Sequence, residues 1–323
     1  MSDNKVNLES LPLRFLERLE LIIPSENIDE VKKSFIEEPV TTFRVNTLCT
    51  SVDKALNDLK HSDIEIHNVS WMEQAYWVDP NDRDKLMDTE VYRKSEIYLQ
   101  NLSSMIPPLL LDPRPGEKIL DLAAAPGSKT LQMACMMQNK GEITAIEVVR
   151  KRYYKMLDNV EQQGAKNIRI YNANGESIWK RFAGQYDKVL IDVPCSTEAR
   201  FRVDDKETYR YWSMRKIKEM VRKQSRLLYS AIQSLRVGGT IVYSTCSFAP
   251  EENEGVIDRV LKKFGSSIEI VPLSLPVSNT QNGLGSWKKK NYNPSVVDSL
   301  RILPDHTMEG FFVCKMIKRG LTR

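Results

Sequence analysis

Between residues 118 and 245 short apolar runs alternate with longer segments of helical spacing, and this alternation limits the folds open to the chain. Residues 118–122, 142–147, 168–171, 188–192 and 240–245 read as strands. Helices are expected to about Gln138, from Arg150 to Gln163, and from Ser213 to Leu235. Repeated strand–helix units predict an α/β fold in which helices cover both faces of a parallel sheet. Ligands of such sheets bind beyond the C-terminal strand ends. Five strand ends therefore share one crevice: residues 123–129, Glu147, residues 172–175, 192–196 and 245–247.

The first of these ends is a run of small residues, Ala123, Ala124, Ala125, Pro126, Gly127 and Ser128, followed by Lys129 and Thr130 at the start of a helix. Small side chains let a nucleotide-like cofactor approach the backbone, and helix N–H groups face it. The run matches neither Gly-x-Gly-x-x-Gly nor the triphosphate loop, and an ordinary strand–turn–helix corner has the same pattern. Glu147 ends the second strand 20 residues beyond Gly127 (147 − 127 = 20), the spacing at which an acid binds ribose hydroxyls.

Asp192-Val-Pro-Cys195 closes the fourth strand and Thr245-Cys246-Ser247 the fifth. A cysteine is commonly a small core residue, the reading adopted for Cys49, Cys135 and Cys314. Cys195 and Cys246 instead follow strands and precede polar residues, where thiols would line the crevice. A reactive thiol needs a nearby cation; Lys129 is the candidate, unless it is a surface lysine. Asp192 suits either a loop acceptor or a hydrogen-bond partner of a substrate ring.

The flanks read differently. Helices are expected over 11–23, with Leu13, Leu16, Leu19 and Leu21 inward and Arg18 outward, and over 27–37. A strand over 41–48, a helix over 51–59 and short strands near 64, 77 and 98 complete a small α/β accessory region of residues 1–110. Arg44 and Asn46 would sit on an exposed sheet face, solvated or touching RNA. Pro107, Pro108, Pro113 and Pro115 mark a junction, and residues 111–323 form the catalytic domain. Residues 272–295 read as a loop whose Trp287 and Lys288–Lys290 could touch a phosphate backbone. An antiparallel pair near 301 and 310–315 closes the chain.

With 323 residues and a net charge of +4, the chain has room for about two domains and no strong overall pull towards nucleic acid. Its five cysteines lack a disulfide framework, its three histidines are scattered, and no spacing suggests a metal site. The first five residues lack a signal-peptide core, and no apolar run approaches the roughly 18 residues of a membrane span. A reducing, cytoplasmic setting is expected.

Residues 120–130, Asp192-Val-Pro-Cys-Ser196 and Thr245-Cys-Ser247 together resemble the RsmB/Nop/Sun RNA cytosine-5 methyltransferases. Residues 11–18, Phe43-Arg-Val-Asn46 and 98–104 are similar to that family's accessory and linking segments. The resemblance implies a Rossmann-like class I methyltransferase sheet, an RRM-like N-terminal domain and S-adenosyl-L-methionine as cofactor. It further implies that residues 123–129 hold the methionine and sugar, that Glu147 takes the ribose hydroxyls with support from Arg152, and that Asn174 stands near the adenine. Asp192 would lie between cofactor and base and, protonated, bond ring N3. Cys246 would be the nucleophile and Cys195 would assist product release. The implied substrate is RNA, ribosomal before transfer, possibly within a ribosomal subunit. Ala123, Ser128, Thr197 and Asn174 depart from the family's frequent Cys, Gly, Gly and acid. A retained fold acting as a non-catalytic RNA-binding factor, or a methyltransferase for small molecules or proteins, are the alternatives. The first would not need two cysteines and Asp192, and the second would not need Cys246.

Overall fold

A computed structural model describes residues 8–322; residues 1–5, inspected above for a leader, lie outside them. In chain order the elements are α1 (Leu13–Ile22), α2 (Ile28–Lys33), β1 (Thr41–Val45), α3 (Val52–Leu59), β2 (His67–Asn68), β3 (Ala75–Val78), α4 (Arg83–Asp88), α5 (Glu90–Arg93) and β4 (Ile97–Leu99). Then come α6 (Leu102–Leu111), β5 (Lys118–Leu122), α7 (Ser128–Met136), β6 (Glu142–Glu147), α8 (Arg150–Gln162), β7 (Ile168–Asn172), α9 (Trp179–Phe182) and β8 (Tyr186–Asp192). The rest are α10 (Met214–Ser234), β9 (Leu235–Thr245), α11 (Glu254–Phe264), β10 (Ile268–Val271), β11 (Thr280–Asn282), β12 (Ser286–Trp287), β13 (Lys290–Asn291), β14 (Leu300–Ile302) and β15 (Phe311–Lys318).

The large sheet runs β11-β14-β15-β9-β8-β5-β6-β7, with β10 also on β15. The five expected strands, β5 to β9, are mutually parallel. The sheet as a whole is mixed, because β15 inserts antiparallel to β9. Alternation sorts the side chains of β5 to two faces. Leu120 and Leu122 join the core containing Leu227 and Leu228 of α10, while Ile119 packs with Leu111 of α6 and Met133 of α7.

A four-stranded antiparallel sheet, β2-β3-β1-β4, has β-α-β-β-α-β connectivity. Phe43, Val45, Leu59, Tyr76 and Ile97 form its separate core. The opposite face of β1 is covered. Arg44 and Asn46 are each 1% exposed. Arg44 Nε donates to Gln100 Oε1 (2.9 Å) and its NH1 to Cys135 Sγ (3.4 Å). Asn46 Nδ2 donates to the Ser95 and Gln163 carbonyls (3.0 Å each). These two side chains tie the small sheet to α7 and α8, and neither is a solvated or RNA-facing position.

Other expectations change for similar reasons. The buried stripe of α1 is Phe15, Arg18, Leu19 and Ile22, while Leu13 and Leu21 are exposed. Arg18 turns inward because Glu251 receives it in two hydrogen bonds (2.6 and 3.1 Å) beneath Trp287. Phe15 and Phe35 join the core of the large sheet through Phe201 and Phe248. Pro107 and Pro108 lie inside α6 rather than at a break. A proline removes one helix hydrogen bond, and the Ser104 carbonyl accepts from Gln100 Nε2 (3.2 Å) instead. The 272–295 loop contains β11, β12 and β13. Trp287 is buried and donates to Glu251 (3.0 Å), and Lys290 pairs with Asp258 (2.8 Å). Of the three cysteines expected in the core, Cys314 is buried, Cys135 is half-buried and Cys49 is exposed.

Candidate active site

The small-residue run turns the chain from β5 into α7. Ala123 and Gly127 both take positive φ (63° and 102°), and at Gly127 a methyl group would also press on Met156 Cγ at 3.2 Å. The turn is pinned from two sides: Ala124 N donates to the Ile146 carbonyl (2.9 Å), and Asn159 Nδ2 to the Pro126 carbonyl (2.8 Å). Arg152 reaches the Ala125 carbonyl.

Beside the turn lies a cavity of about 250 Å³. Ala123, Ala124, Ala125, Pro126, Ser128, Lys129, Arg152 and Asp192 line it, together with Tyr98, Ser104, Asp121 and Arg200. Glu147, 2% exposed, is not among the lining residues and meets the cavity wall through Arg152. Its Oε1 accepts from Val149 N (2.7 Å), Arg152 NH1 stands 3.5 Å from Oε2, and Oε2 has no hydrogen-bond partner. A buried carboxylate oxygen left this way is costly, so it invites a donor. Asn174 is not brought to this cavity. Its Oδ1 caps Glu176 N (3.0 Å), and its side chain lines a second cavity beside Trp179 and Tyr229. Asp121 on β5 had no assigned role above, although it lies within the quoted motif. It is 1% exposed and accepts from Thr130 Oγ1 (2.5 Å). Burial, partly offset by that bond, pushes its carboxyl up to about 7.

Register brings the reactive groups together. Asp192 pairs with Ser244 across β8 and β9, so the chain leaves two adjacent strands side by side. Ser244 Oγ donates to Asp192 Oδ1 (2.9 Å) and Lys129 Nζ to Oδ2 (2.7 Å). Lys129 Nζ also donates to Ser104 Oγ (2.6 Å). It is therefore a buried partner of Asp192 rather than a surface lysine. Beyond the strands, Cys195 Sγ and Cys246 Sγ stand 3.3 Å apart. Their hydrogen bond separates their acidities. Donation from Cys195 holds Cys246 below the ordinary thiol range, aided by the Arg200 guanidinium and opposed by burial. The same bond, with burial, pushes Cys195 well above that range. Cys246 is thus the more acidic thiol of the pair and Cys195 the less acidic.

Arg200 lines the cavity and pairs with Glu309 (3.1 Å). Arg202 is structural: its guanidinium donates to the Ser34 and Ile36 carbonyls (3.3 and 2.8 Å) and to that of Glu37. Gly310 lets β15 enter close by, since a Cβ there would lie 2.6 Å from Phe248 Cζ. Among the described residues no group of three or more His, Cys, Asp or Glu side chains could hold a metal ion. Nor is any helix among them long and apolar enough to cross a membrane.

Comparison with known proteins agrees with this geometry. Residues 108–317 match the family model described as 16S rRNA methyltransferase RsmB/F. The chain is 34% identical to the ribosomal RNA small subunit methyltransferase F of Vibrio vulnificus, over 95% of this chain and 64% of that protein. It thus spans just under two thirds of that relative's length. It is also 34% identical to the tRNA (cytosine(49)-C(5))-methyltransferase of Pyrococcus abyssi, over 98% of this chain and 99% of the relative. The crystal structure of a methyltransferase homolog from Pyrococcus horikoshii superposes with a TM-score of 0.80 at 30% identity, covering 96% of this chain and 99% of that one.

Proposed function

Because the chain belongs to the RsmB/F methyltransferase family, we propose that it methylates carbon 5 of a cytosine in RNA, using S-adenosyl-L-methionine and a transient bond to Cys246. The observation that carries the reading is the pair of sulfurs 3.3 Å apart at adjacent strand ends, beside the Asp192–Lys129 pair. The cavity suits the cofactor. Its small-residue wall leaves backbone accessible, Glu147 Oε2 can accept from a ribose hydroxyl, and Asp121 offers an anion to a cationic group. Bound there, S-adenosylmethionine supplies an electrophilic methyl group on a sulfonium. Asn174, at the turn after β7, is kept as the residue near the adenine, its Oδ1 also capping Glu176 N (3.0 Å).

The residues then divide the work. Carbon 5 of cytosine is a weak nucleophile. Addition of the Cys246 thiolate to carbon 6 breaks the ring conjugation and makes carbon 5 enamine-like. Lys129 and Ser244 fix Asp192 to face the base edge. Both Asp192 oxygens accept hydrogen bonds, the pattern of a carboxylate, so its free lone pairs suit the exocyclic amino group. A bond to N3 would follow protonation as the adduct forms. After methylation, loss of the carbon 5 proton and breaking of the bond from Cys246 to carbon 6 restore the ring. Cys195, the less acidic member of the pair, assists this release. The target must leave its stack to reach the thiol.

We read residues 41–99 as RRM-like, supported by their β-α-β-β-α-β connectivity and the order β2-β3-β1-β4. In the division at residue 110, the outer helices α1, α2 and α6 count with the N-terminal part although they pack on the large core. Five unpaired cysteines support a reducing, cytoplasmic setting. The first substrate reading is ribosomal RNA, possibly in an assembled subunit, supported by the family description and the Vibrio relatives. Transfer RNA is the second, supported by the match along nearly all of the Pyrococcus abyssi protein. The test is methyl transfer from labelled cofactor to ribosomal RNA, ribosomal subunits and transfer RNA from cells lacking this gene. 5-Methylcytidine in one of these fractions is the expected product. No incorporation into any of them, with cofactor bound, refutes the reading in favour of a non-catalytic factor.

A further inference from the structure

Glu252 is fully buried, six residues beyond Cys246 (252 − 246 = 6). Its Oε2 accepts from Ser196 N (3.0 Å) and Gln224 Nε2 (2.7 Å). Its Oε1 accepts from Ser196 Oγ and from Ser247 Oγ (3.1 Å). Ser196 follows Cys195 and Ser247 follows Cys246, so one carboxylate holds the residue next to each thiol. The two serine hydroxyls are themselves 2.9 Å apart. Glu198 braces the assembly from the other side, accepting from Phe248 N (2.9 Å) and Trp212 Nε1 (2.8 Å), with its Oε2 also 3.1 Å from Ser247 Oγ, whose one proton the two carboxyls share. Burial, with repulsion from Glu198, pushes the Glu252 carboxyl up to about 7. Placing two acids together in a dry core is expensive, and costly polar groups of this kind concentrate where geometry must be fixed.

We propose that Glu252 is a positioning residue: it clamps the loop after β8 to the loop after β9 and thereby sets the separation of the two sulfurs. It touches neither substrate nor cofactor. It acts through Ser196 and Ser247, whose neighbours would otherwise move independently on two loops. With the loops joined, Cys195 stays within donating distance of Cys246 before any substrate arrives. The proposal rests on the reading of Cys246 as nucleophile, but the sulfur geometry it explains does not depend on the substrate.

The test is Glu252→Gln, which keeps the side-chain shape and puts an N–H₂ group where donors already converge. The readout is the pH profile of alkylation by iodoacetamide, resolved by peptide mass for each cysteine. Alkylation of Cys246 at neutral pH should fall about tenfold, matching a rise of about one unit in its thiol pKa. Removing an anion acts in the opposite sense, because the Glu252 charge raises the neighbouring Cys195 thiol. A plain field effect would therefore speed alkylation, and a purely structural role would lower stability without moving the profile. In a Cys195→Ala background the effect of Glu252→Gln should shrink to below about twofold. An unchanged or faster Cys246 reaction in folded Glu252→Gln overturns the proposal. Should that variant not fold, Ser247→Ala removes one arm and should slow Cys246 about threefold, roughly half a pKa unit; an unchanged rate there overturns it equally. The two readings fail separately. A shifted profile in a protein that methylates no RNA sinks only the proposed function, and full methylation with an unmoved profile sinks only the clamp.

Discussion

Asp121→Asn should make the protein more stable at pH 8 while weakening cofactor binding. Asp121 has its carboxyl raised to about 7 by burial, against an ordinary 3.8. Its folded pKa lies above its unfolded one, so the folded state holds the proton more tightly. The stability this brings is complete below about pH 4 and is lost as pH rises towards 7. The full difference of about 3 units corresponds to roughly 4 kcal/mol. By the same linkage, about 1.7 kcal/mol of it is lost by pH 5 and the remainder, roughly 2.6 kcal/mol, between pH 5 and pH 8. Asparagine cannot ionise and retains an acceptor for Thr130 Oγ1, so it removes this slope. Denaturant unfolding of both proteins at pH 5 and pH 8 gives the quantity directly, since every other titrating group is common to both. The stabilisation by the variant should be about 2–3 kcal/mol larger at pH 8 than at pH 5. Equal stabilisation at the two pH values would show that Asp121 is not a strained buried acid and would refute the argument. Equilibrium dialysis against labelled cofactor completes the test, with at least about tenfold weaker binding expected from the loss of a charged partner, worth about 1.4 kcal/mol or more.

Three further outcomes are expected. Cys246→Ala should abolish methyl transfer with cofactor binding intact, as read by incorporation and dialysis on one preparation; retained activity would remove it as nucleophile. Cys195→Ala should accumulate a covalent protein–RNA adduct, visible as a slow band on denaturing gels, because release slows while addition continues. Arg301→Met should cost about 3–5 kcal/mol in denaturant unfolding. It strands the fully buried Glu254 that Arg301 meets at 2.6 and 2.7 Å, and it frees the Phe248 carbonyl it holds at 2.9 Å.

The parallel strands were legible because short apolar runs alternate with segments of helical spacing, and their C-terminal ends gave Cys195, Cys246 and Asp192 without reference to structure. Their juxtaposition depends on β8 and β9 being neighbours, which the strand order supplies and spacing alone does not. Arg18 and Arg44 read as outward-facing because periodicity treats every cation as polar; each instead finds its partner more than 50 residues away in sequence. Asn174 was placed by family pattern; its cap to Glu176 N was not read from the sequence. Glu198 and Glu252 carried no local signal, since a buried acid and an exposed one look alike in sequence.

The packing of α1 and α2 also bears on how the protein is made. Phe15 rests on Phe201 and Phe35 on Phe248 (centroids 4.8 and 6.3 Å apart), partners that follow them by 186 and 213 residues (201 − 15 and 248 − 35). At ordinary synthesis rates the first two helices leave the ribosome roughly 10–40 s before those rings exist. Through that interval their apolar stripes stand open and are natural ligands for a nascent-chain chaperone. The loop that follows Cys246 is one of the surfaces that closes over them. Helices made well before their partners are thus covered in part by the loop that carries one of the reactive thiols.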